Sequence, residues 1–384
     1  MLSDQKHLFR LPEDIIYLNC AYMSPLLTSV EEAGIAGIVR KRNPTTIKPE
    51  DFFNEKEEIG KKLGSLINGA SQQIAMIPSS SYGLKSVVNN LPDNNGKHAI
   101  CVADEFPSGY YTILNWCKEN GKELKVIKAP AYETNRGKKW NEKILEAIDT
   151  DTAVVFLSSI HWTDGTIFDL QGIGKRCKEV DALFVVDGTQ SVGALPIDVA
   201  ACHIDALICA AYKWLLAPYS TGFAYLSEYF NNGSPLEDTW MNKSNANNFA
   251  RLTNYVDEYK PGAARYNVGE YSNFILIPMF NAALDQIDHW KVNSIQDYCS
   301  NLIKPLIEIL KGNNFWIEDD QYRASHLFGF LLPQHSNVND LLEKMKERKI
   351  FVSIRGDAIR VSPHLYNTQK EIGEFSEVLT DLSK

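Results

Sequence analysis

The sequence lacks the features that mark membrane, secreted and nucleic-acid-binding proteins. It has no uninterrupted run of about 18 apolar residues, so we expect no transmembrane helix. Its first residues, Met1 to Lys6, contain no apolar signal-peptide core, and a cytoplasmic location is therefore expected. Lysine and arginine number 39 against 48 acidic residues and form no basic cluster. Because phosphate backbones are held by clustered basic side chains, we expect no nucleic-acid partner.

The cysteines are sparse and scattered. Seven are present, and none of them forms a Cys-x-x-Cys pair. This arrangement predicts neither a disulfide framework nor a zinc site. Several cysteines lie within apolar runs, where a buried reduced thiol is the simplest interpretation. We therefore expect no metal ion in this protein.

Short apolar runs alternate with helical stretches through the middle of the 384-residue chain. Near-continuous apolar strands that alternate with helices are typical of parallel sheets covered on both faces. The pattern predicts an α/β fold, with a large domain built on a mostly parallel sheet. The predicted strands are 99–103 (AICVA), 152–160 (TAVVFLSSI), 182–186 (ALFVV) and 206–210 (ALICA), with a helix over 173–179.

The pattern changes after about residue 287. It becomes a mixture of helices and short strand-like runs, which predicts a smaller α+β domain. The N-terminal segment through about residue 45 is expected to pack with it. The predicted domains are therefore 46–287 and the combination of 1–45 with 288–384. The predicted elements of the second domain are helices over 292–310 and 338–349 and strand-like runs at 325–332, 350–354 and 358–361.

Polar residues follow the predicted strands directly. Asp187 comes after strand 182–186, and Lys213 follows strand 206–210. In open α/β sheets, ligands bind beyond the carboxyl ends of the strands, so both side chains are candidates for one site. Two simpler interpretations stay open at this point. Asp187 can begin an Asp-Gly turn, and Lys213 can extend its amine to solvent from a strand end.

The same two residues match the demands of pyridoxal phosphate (PLP). This cofactor needs a lysine for a Schiff base and a carboxylate beside its pyridine nitrogen. Opposite charges about 4 Å apart at an effective dielectric of about 20 interact by roughly 4 kcal/mol, or about three pKa units. The serines of segment 78–84 (PSSSYGL), before a predicted helix over 85–91, provide donors for a phosphate. A serine run before a helix is also an ordinary capping signal.

Several separated motifs make the sequence similar to one family. It resembles the class V aminotransferases, which are PLP-dependent enzymes of fold type I and include cysteine desulfurases, kynureninases and isopenicillin-N-epimerase-like proteins. The motifs that carry the resemblance are Tyr17-Leu18-Asn19, Val185-Val186-Asp187-Gly188-Thr189-Gln190-Ser191-Val192-Gly193, Ala211-Tyr212-Lys213-Trp214, Gly222-Phe223, and Arg360-Val361-Ser362-Pro363-His364-Leu365-Tyr366-Asn367-Thr368.

The resemblance implies a role for each matching residue. Lys213 corresponds to the Schiff-base lysine and Asp187 to the partner of the pyridine nitrogen; these two are the expected catalytic residues. The other expected cofactor-binding residues are Ser80, Ser81 and Tyr212 at the phosphate, Phe106 stacked on the ring, Gln190 at the ring hydroxyl, and Trp162, which with His161 ends a strand facing the cofactor.

Arg360 corresponds to the arginine that grips the substrate carboxylate, a task that suits the bidentate guanidinium. Asn19 and Tyr22 complete the predicted substrate site. Arg355 is a second candidate, for which a structural role is the simpler interpretation. His364 fits the family pattern, and a packing role fits it equally. The family also implies a homodimer, with Tyr271 and its neighbours at the interface.

Residues that differ from the family patterns limit which reactions are expected. Desulfurases carry a mobile cysteine in a loop before the arginine that corresponds to Arg360. Here residues 354–359 run directly into Arg360 with no room for that loop and no cysteine, so persulfide formation on the protein is disfavoured. Gln190 and Gly109 replace a histidine and an aspartate expected of kynureninases. The Gly-Thr that many members lend to the partner's phosphate is Gly269-Glu270 here, and Ser272 or Asn273 is the candidate replacement.

The main hypothesis is a PLP enzyme that acts on an α-amino acid, as a transaminase or a Cβ–S lyase. A kynureninase-like hydrolase and an amino-acid epimerase are the alternatives within the family. A non-catalytic ligand-binding protein on the same scaffold is the alternative from another class. A nicotinamide-binding enzyme is less favoured, because no Gly-x-Gly-x-x-Gly follows any predicted strand.

Overall fold

The computed structural model describes residues 2–91, 96–334 and 336–382. The remaining positions of the two predicted domains lie outside the described residues. The strands are β1 (Ile16–Tyr17), β2 (Ile74–Ile77), β3 (His98–Val102), β4 (Glu123–Ile127), β5 (Thr152–Ser158), β6 (Leu183–Asp187), β7 (Ala206–Ala210), β8 (Gly222–Leu226), β9 (Trp316–Ile317), β10 (Phe328–Leu331), β11 (Ile350–Phe351), β12 (Ser353–Arg355) and β13 (Ala358–Val361).

The α-helices alternate with these strands. They are α1 (Thr28–Arg40), α2 (Asn54–Ile67), α3 (Ser80–Val88), α4 (Pro107–Glu119), α5 (Arg136–Ala147), α6 (Leu170–Glu179), α7 (Leu276–Trp290), α8 (Val292–Gly312), α9 (Val338–Glu347) and α10 (Gln369–Leu382).

A seven-stranded sheet forms the centre of the molecule, in the order β2-β8-β7-β6-β5-β3-β4. Neighbours from β7 to β4 run parallel, and only the pairs that include β8 are antiparallel. The four predicted strands are all present, as β3, β5, β6 and β7. The predicted α/β class with a mostly parallel sheet is confirmed.

The sheet is buried on both faces, which explains its continuous apolar strands. Alternate residues of a strand enter different cores: Phe184 and Val186 of β6 join one cluster, whereas Val185 joins the cluster on the opposite face. The same alternation holds in β7, where Leu207 and Ile208 belong to different clusters. Helices cover both clusters, so the strand ends are the polar positions that remain.

A smaller antiparallel sheet follows, in the order β12-β13-β10-β9. Its core includes residues of α8, α9 and α10 together with Ile16 and Leu18 from the N-terminal segment. That segment also pairs in parallel through β1 with β11. The boundaries at residues 45 and 287 stay predictions.

Two local predictions need correction. The helix after the serine run begins at Ser80 and ends at Val88, not over 85–91, because Ser79 caps it by accepting a hydrogen bond from the Tyr82 N–H. The run 350–354 is two strands, because β11 pairs with β1 whereas β12 pairs with β13. Periodicity alone does not reveal which partner a short strand meets.

The loop 161–166, after β5, lies between the large sheet and the small one. Its Asp164 is fully buried and accepts hydrogen bonds from the Thr166 N–H, and its other carboxylate oxygen lies 3.0 Å from the Arg136 guanidinium. Burial alone would raise the pKa of Asp164, but His161 and Arg136 hold this pKa well below its usual range. The Gly329 N–H donates to the Asp164 carbonyl and ties the loop to β10.

Gly165 is the tightest point of this loop. Its φ of +77° favours glycine, and an added Cβ would meet the Leu327 carbonyl oxygen and lie 2.8 Å from the Phe328 Cα. We expect Gly165→Ala to lower the free energy of unfolding by about 3 kcal/mol, from backbone strain and overpacking together. Urea denaturation measures the loss.

Gly121→Ala is the matched control. Gly121 has a φ of +63°, but nothing lies within 4 Å of its added Cβ. It should lose only the strain contribution, about 1 kcal/mol. Equal losses in the two variants would contradict the predicted clash.

Candidate active site

A cavity of about 280 Å³ opens at the carboxyl ends of β5, β6 and β7, in the position expected for an open α/β sheet. Each strand contributes a polar residue directly or through the loop that follows it. All eight predicted cofactor-binding residues line it. The lining consists of Pro78, Ser79, Ser80, Ser81, Phe106, Ser108, Ser158, Trp162, Asp187, Thr189, Gln190, Ala210, Tyr212, Lys213, Tyr219, Ser220 and Thr221.

Lys213 follows β7 and is 7% exposed. Its Nζ lies 5.6 Å from the ring centre of Phe106 and 5.7 Å from that of Tyr212. No carboxylate of the described residues lies within 4.0 Å of this amine. Burial, with the nearby charge of Arg360, lowers the pKa of Lys213 to about 8. A substantial share of the amine is therefore neutral near physiological pH, as a nucleophile or base requires.

Asp187 ends β6 and is also buried. Its Oδ1 accepts a hydrogen bond of 2.8 Å from the Thr189 N–H, the turn that an Asp-Gly pair favours. Burial raises the pKa of this carboxyl. Asp187 has no ion-pair partner among the described residues, so a cationic group bound in the cavity would be its natural complement.

The serines lie at the N-terminus of α3, where backbone N–H groups lack partners within the helix. Ser80 Oγ is 3.3 Å from Thr189 Oγ1, which also accepts from the Ala210 N–H. Helix N-termini attract anions, and Ser80 and Ser81 line the cavity. Capping and anion binding, alternatives in the sequence, are compatible here because Ser79 provides the cap.

Two aromatic side chains form one wall of the cavity. The Phe106 and Trp162 rings meet edge to face, with their centres 5.5 Å apart. Trp162 donates from Nε1 to the Asp104 carbonyl at 2.7 Å. His161 does not line the cavity: its ring contacts Asp164, Thr163 and the Ala103 carbonyl. The expectation that His161 faces the cofactor is therefore not met, because the buried Asp164 draws the ring away.

Gln190 lines the cavity, and its side-chain amide forms hydrogen bonds within the protein. It donates to the Ala21 carbonyl and accepts a 2.9 Å hydrogen bond from the indole of Trp214. The backbone carbonyl of Gln190 lies 2.8 Å from Nε2 of the His326 ring. The two side-chain contacts fix Gln190 at the cavity edge, and its expected contact with the ring hydroxyl stays a prediction.

The predicted substrate residues lie outside the cavity lining. Arg360, in β13, is 1% exposed, donates to the Trp162 carbonyl at 2.9 Å and has no hydrogen-bond partner at Nε. Asn19 accepts from the Ser353 hydroxyl at 2.8 Å. Tyr22 is 56% exposed. Arg360 therefore contacts a cavity-lining residue, Trp162, without lining the cavity itself. The substrate-binding roles of Arg360, Asn19 and Tyr22 stay predictions.

Several polar residues near the cavity were not predicted as site residues. Ser158, Tyr219, Ser220 and Thr221 line the cavity, and Glu105 lies next to it. Ser158 lies inside the apolar run of β5, and its hydroxyl donates to buried Glu105 at 2.5 Å. Glu105 also accepts from the backbone N–H of Phe106, so it positions that aromatic residue. Burial raises the pKa of Glu105. Its position directly before Phe106 was the one available signal.

The segment proposed for the partner's phosphate does not line this chain's cavity. Tyr271 and Ser272 are largely buried, and Glu270 has a φ of +57°. Asn273 accepts hydrogen bonds from the N–H groups of Ile275 and Leu276 at the start of α7. Its oxygen is therefore occupied within the chain.

Together, the fold and the cavity are those of a PLP-dependent enzyme of fold type I: a buried lysine without an ion-pair partner among the described residues, a buried carboxylate and the N-terminus of α3 converge at the strand ends. The chain belongs to the class V aminotransferase family. The model of this family, described as Aminotransferase class-V, matches residues 49–375. One solved structure of the same fold carries a PLP cofactor, and the class V family is PLP-dependent.

Curated relatives are distant but cover most of the chain. The uncharacterized aminotransferase YcbU of Bacillus subtilis is 25% identical over 83% of this chain and 81% of its own. A kynureninase of Shouchella clausii is 24% identical, over 98% and 90%. A probable cysteine desulfurase of Methanothermobacter thermautotrophicus is 24% identical, over 85% and 83%.

Solved structures share the fold. A C-DES mutant with glycine covalently linked to its PLP cofactor has a TM-score of 0.86 at 18% identity and covers 99% of this chain and 100% of that chain. The cysteine desulfurase of Thermococcus onnurineus has a TM-score of 0.80 at 20% identity, over 100% and 98%.

Two other features are absent from the described residues. No group of three or more histidine, cysteine, aspartate or glutamate side chains in that part of the chain is arranged to hold a metal ion. Across the same residues, every helix is too short or too polar to cross a membrane.

The lowered pKa of Lys213 predicts how cofactor capture depends on pH. Only the neutral amine attacks a carbonyl, and its fraction rises as the pH increases through about 8. We therefore expect the rate of PLP uptake by cofactor-free protein to rise from pH 6, to reach half of its maximum near pH 8 and to level off above about pH 9. Stopped-flow absorbance at a series of pH values measures this rate. A midpoint near the ordinary lysine pKa would contradict the prediction.

Proposed function

We propose that the protein removes the α-proton of an α-amino acid, and that amino-group transfer or cleavage of a Cβ–S bond follows. The observation that carries this proposal is the Lys213 amine, buried, without an ion-pair partner and with a pKa lowered to about 8, in one cavity with Asp187. A base with a pKa close to the working pH is the most effective proton acceptor.

Each site residue would have a distinct role in this reaction. When bound, PLP supplies an aldehyde that links to amines and a ring that accepts electrons. Lys213 would hold the cofactor, then receive and return the substrate proton at Nζ. Asp187 would keep a proton on the pyridine nitrogen, and Ser80 and Ser81 would hold the phosphate at the start of α3. Arg360 would bind the substrate carboxylate.

The cysteines support a reaction that needs no protein thiol. None of the seven lines the cavity. Cys20, whose Sγ is 3.9 Å from the Lys213 carbonyl, is fully buried, and burial raises its pKa to about 12. A thiol in this state is a poor nucleophile. Transamination and β-elimination both proceed without one, whereas persulfide formation on the protein does not. One solved relative of the same fold is named a cystine C–S lyase.

A kynureninase-like hydrolase is the second candidate. The edge-to-face pair of Phe106 and Trp162 offers an apolar wall to an aromatic substrate. The similarity to the Shouchella clausii kynureninase extends over nearly the whole chain. An epimerase shares the same first step, because it also begins by removing the α-proton.

Solvent exchange tests the common step directly. PLP-loaded protein is incubated with single amino acids in deuterium oxide, and loss of the Cα proton is followed by NMR. We expect exchange with at least one amino acid and none with Lys213→Ala. Absence of exchange across the standard amino acids, cystine and kynurenine would contradict the proposal.

Product analysis then separates the outcomes. A lyase releases pyruvate and ammonia without an acceptor, whereas a transaminase needs a keto acid and forms a new amino acid. A hydrolase forms anthranilate from kynurenine, and an epimerase forms only the other enantiomer.

We also infer a homodimer. A group of large apolar side chains around α1 is exposed in the single chain, and patches of this kind commonly form interfaces. The group consists of Tyr22, Met23, Leu26, Ile35, Ile38 and Val39.

A further inference from the structure

Two arginines lie on one face of the small sheet. In the β12–β13 pair, Ser353 is directly opposite Arg360, and Arg355 is two residues further along the same strand. Side chains two apart on a strand share a face, and diagonal neighbours across a strand pair have Cβ atoms within about 7–8 Å. Arg355 and Arg360 are therefore close neighbours on the same side.

Both guanidinium groups meet Trp162, which lines the cavity. Arg360 donates from Nη1 to the Trp162 carbonyl at 2.9 Å, and the Arg355 guanidinium carbon lies 5.7 Å from the centre of the Trp162 indole. The face that carries the arginines therefore adjoins the aromatic wall of the cavity.

Neither arginine has an acidic partner. Among the described residues no carboxylate lies within 4.0 Å of either guanidinium, although most other arginines there form ion pairs. Arg355 donates only to the carbonyl of its neighbour Ile354, and Arg360 has an unpartnered Nε while 1% exposed. Placing two unpaired like charges side by side, with one of them buried, is unfavourable, so the arrangement favours anionic ligands.

Electrostatic effects on neighbouring groups agree with this geometry. After burial, the charge of Arg355 is the main cause that lowers the pKa of Arg360 to about 9. Both arginines also contribute to the lowered pKa of Lys213. The positive charges of the two guanidinium groups and of the Lys213 amine are therefore close enough to affect one another's pKa values.

Another donor completes this surface. The Asn19 oxygen accepts from the Ser353 hydroxyl, and the amide nitrogen of Asn19 has no hydrogen-bond partner among the described residues. Ser353 stands opposite Arg360, so the Asn19 amide is available beside it for a carboxylate oxygen. Arg355 is only partly buried and remains reachable by a longer group.

We propose that Arg360 and Arg355 form a receptor for two anionic groups, and that the preferred substrate is an α-amino acid with a side-chain carboxylate or similar oxyanion. Arg360, with Asn19, binds the α-carboxylate, and Arg355 binds the side-chain anion. The substrate part of this inference rests on the proposed function; the anion-binding part does not.

The first experiment compares matched substrates. Dissociation constants and kcat/KM are measured for aspartate against asparagine and for glutamate against glutamine, using the visible absorbance of bound PLP. We expect the acidic member of at least one pair to be preferred by about 10- to 100-fold, the size expected for a hydrogen bond to a charged group. Arg355→Gln should reduce this preference to within a few-fold of one.

Arg348→Gln is the control, because Arg348 pairs with Glu377 of α10 and does not line the cavity. It should keep the full preference. Equal binding of acidic and neutral amino acids, or a preference that survives in Arg355→Gln, would overturn the inference.

A second measurement does not need turnover. Thermal unfolding of the PLP-loaded protein is followed with glutarate or with pentanoate, which has the same number of carbons and one carboxylate. Glutarate should raise Tm more than pentanoate, and this difference should vanish in Arg355→Gln. If no amino acid exchanges its α-proton but glutarate still binds through Arg355, the proposed function fails and the anion receptor stands. If glutarate and pentanoate act alike, the receptor fails.

Discussion

Replacing Lys213 with alanine is expected to return the absorbance of bound PLP to that of the free cofactor and to lower turnover by about 10³-fold or more. The substitution removes the amine that would link to the cofactor, and it also removes the proposed base. Loss of a general base alone costs about 10²–10⁴-fold. Absorbance spectra of the loaded protein and initial rates with the best substrate measure the two effects.

Lys56→Ala is the matched control. Burial lowers the pKa of Lys56 to about 8, as it does for Lys213, but Lys56 lines a separate cavity beside Lys260. The control removes an equally perturbed amine from a different place, so both spectrum and rate should be kept. A Lys213→Ala protein that retains the spectrum of lysine-bound PLP would disprove the assignment of Lys213.

Asp187→Asn is expected to keep PLP bound and to lower kcat by about 10³-fold. Asparagine can still accept the hydrogen bond from the Thr189 N–H, so the turn after β6 should persist. The substitution removes the charge that would keep the pyridine nitrogen protonated, an interaction of about 4 kcal/mol at an effective dielectric of about 20. Single-turnover kinetics and the spectrum of the loaded protein measure these two expectations separately.

Asp205→Asn controls for the loss of a buried carboxylate. Burial raises the pKa of Asp205 to about 6, and this residue accepts a hydrogen bond from the Phe184 N–H outside the cavity. Its replacement should leave kcat within a few-fold of the parent. Asp187→Glu should recover part of the activity by restoring a negative charge. Full activity in Asp187→Asn would rule out the electrostatic role.

The four central parallel strands were the most predictable part of the fold. Strand β7 was predicted at its observed bounds, and β3, β5 and β6 within two residues at each end. Strands buried on both faces are apolar throughout, so they stand out without any knowledge of their neighbours. Strands β2, β4 and β8 of the same sheet were not predicted. β4 lies at the sheet edge, carries Lys125 and is only partly buried, whereas β2 and β8 are buried and pair antiparallel with each other.

The cavity residues nearest the strand ends were also predictable, because their side chains have few places to point. Lys213 and Asp187 occupy the cavity for this reason. Residues that reach the site through other side chains were not predictable in the same way. Glu105 acts on Phe106 and Ser158 through hydrogen bonds that depend on how loops approach one another.

By itself, the sequence determined the family, the α/β class and the lysine and aspartate that line the cavity, since these follow from local patterns and adjacent motifs. Only the tertiary structure decided that His161 turns toward Asp164, and that Arg355 and Arg360 stand unpaired beside Trp162. Those arrangements join segments up to about two hundred residues apart, and their geometry is fixed by packing and by buried charge. Lys213 depends on both sequence and fold. Its position follows from the motif, whereas its lowered pKa follows from the burial and the charges that the fold places around it.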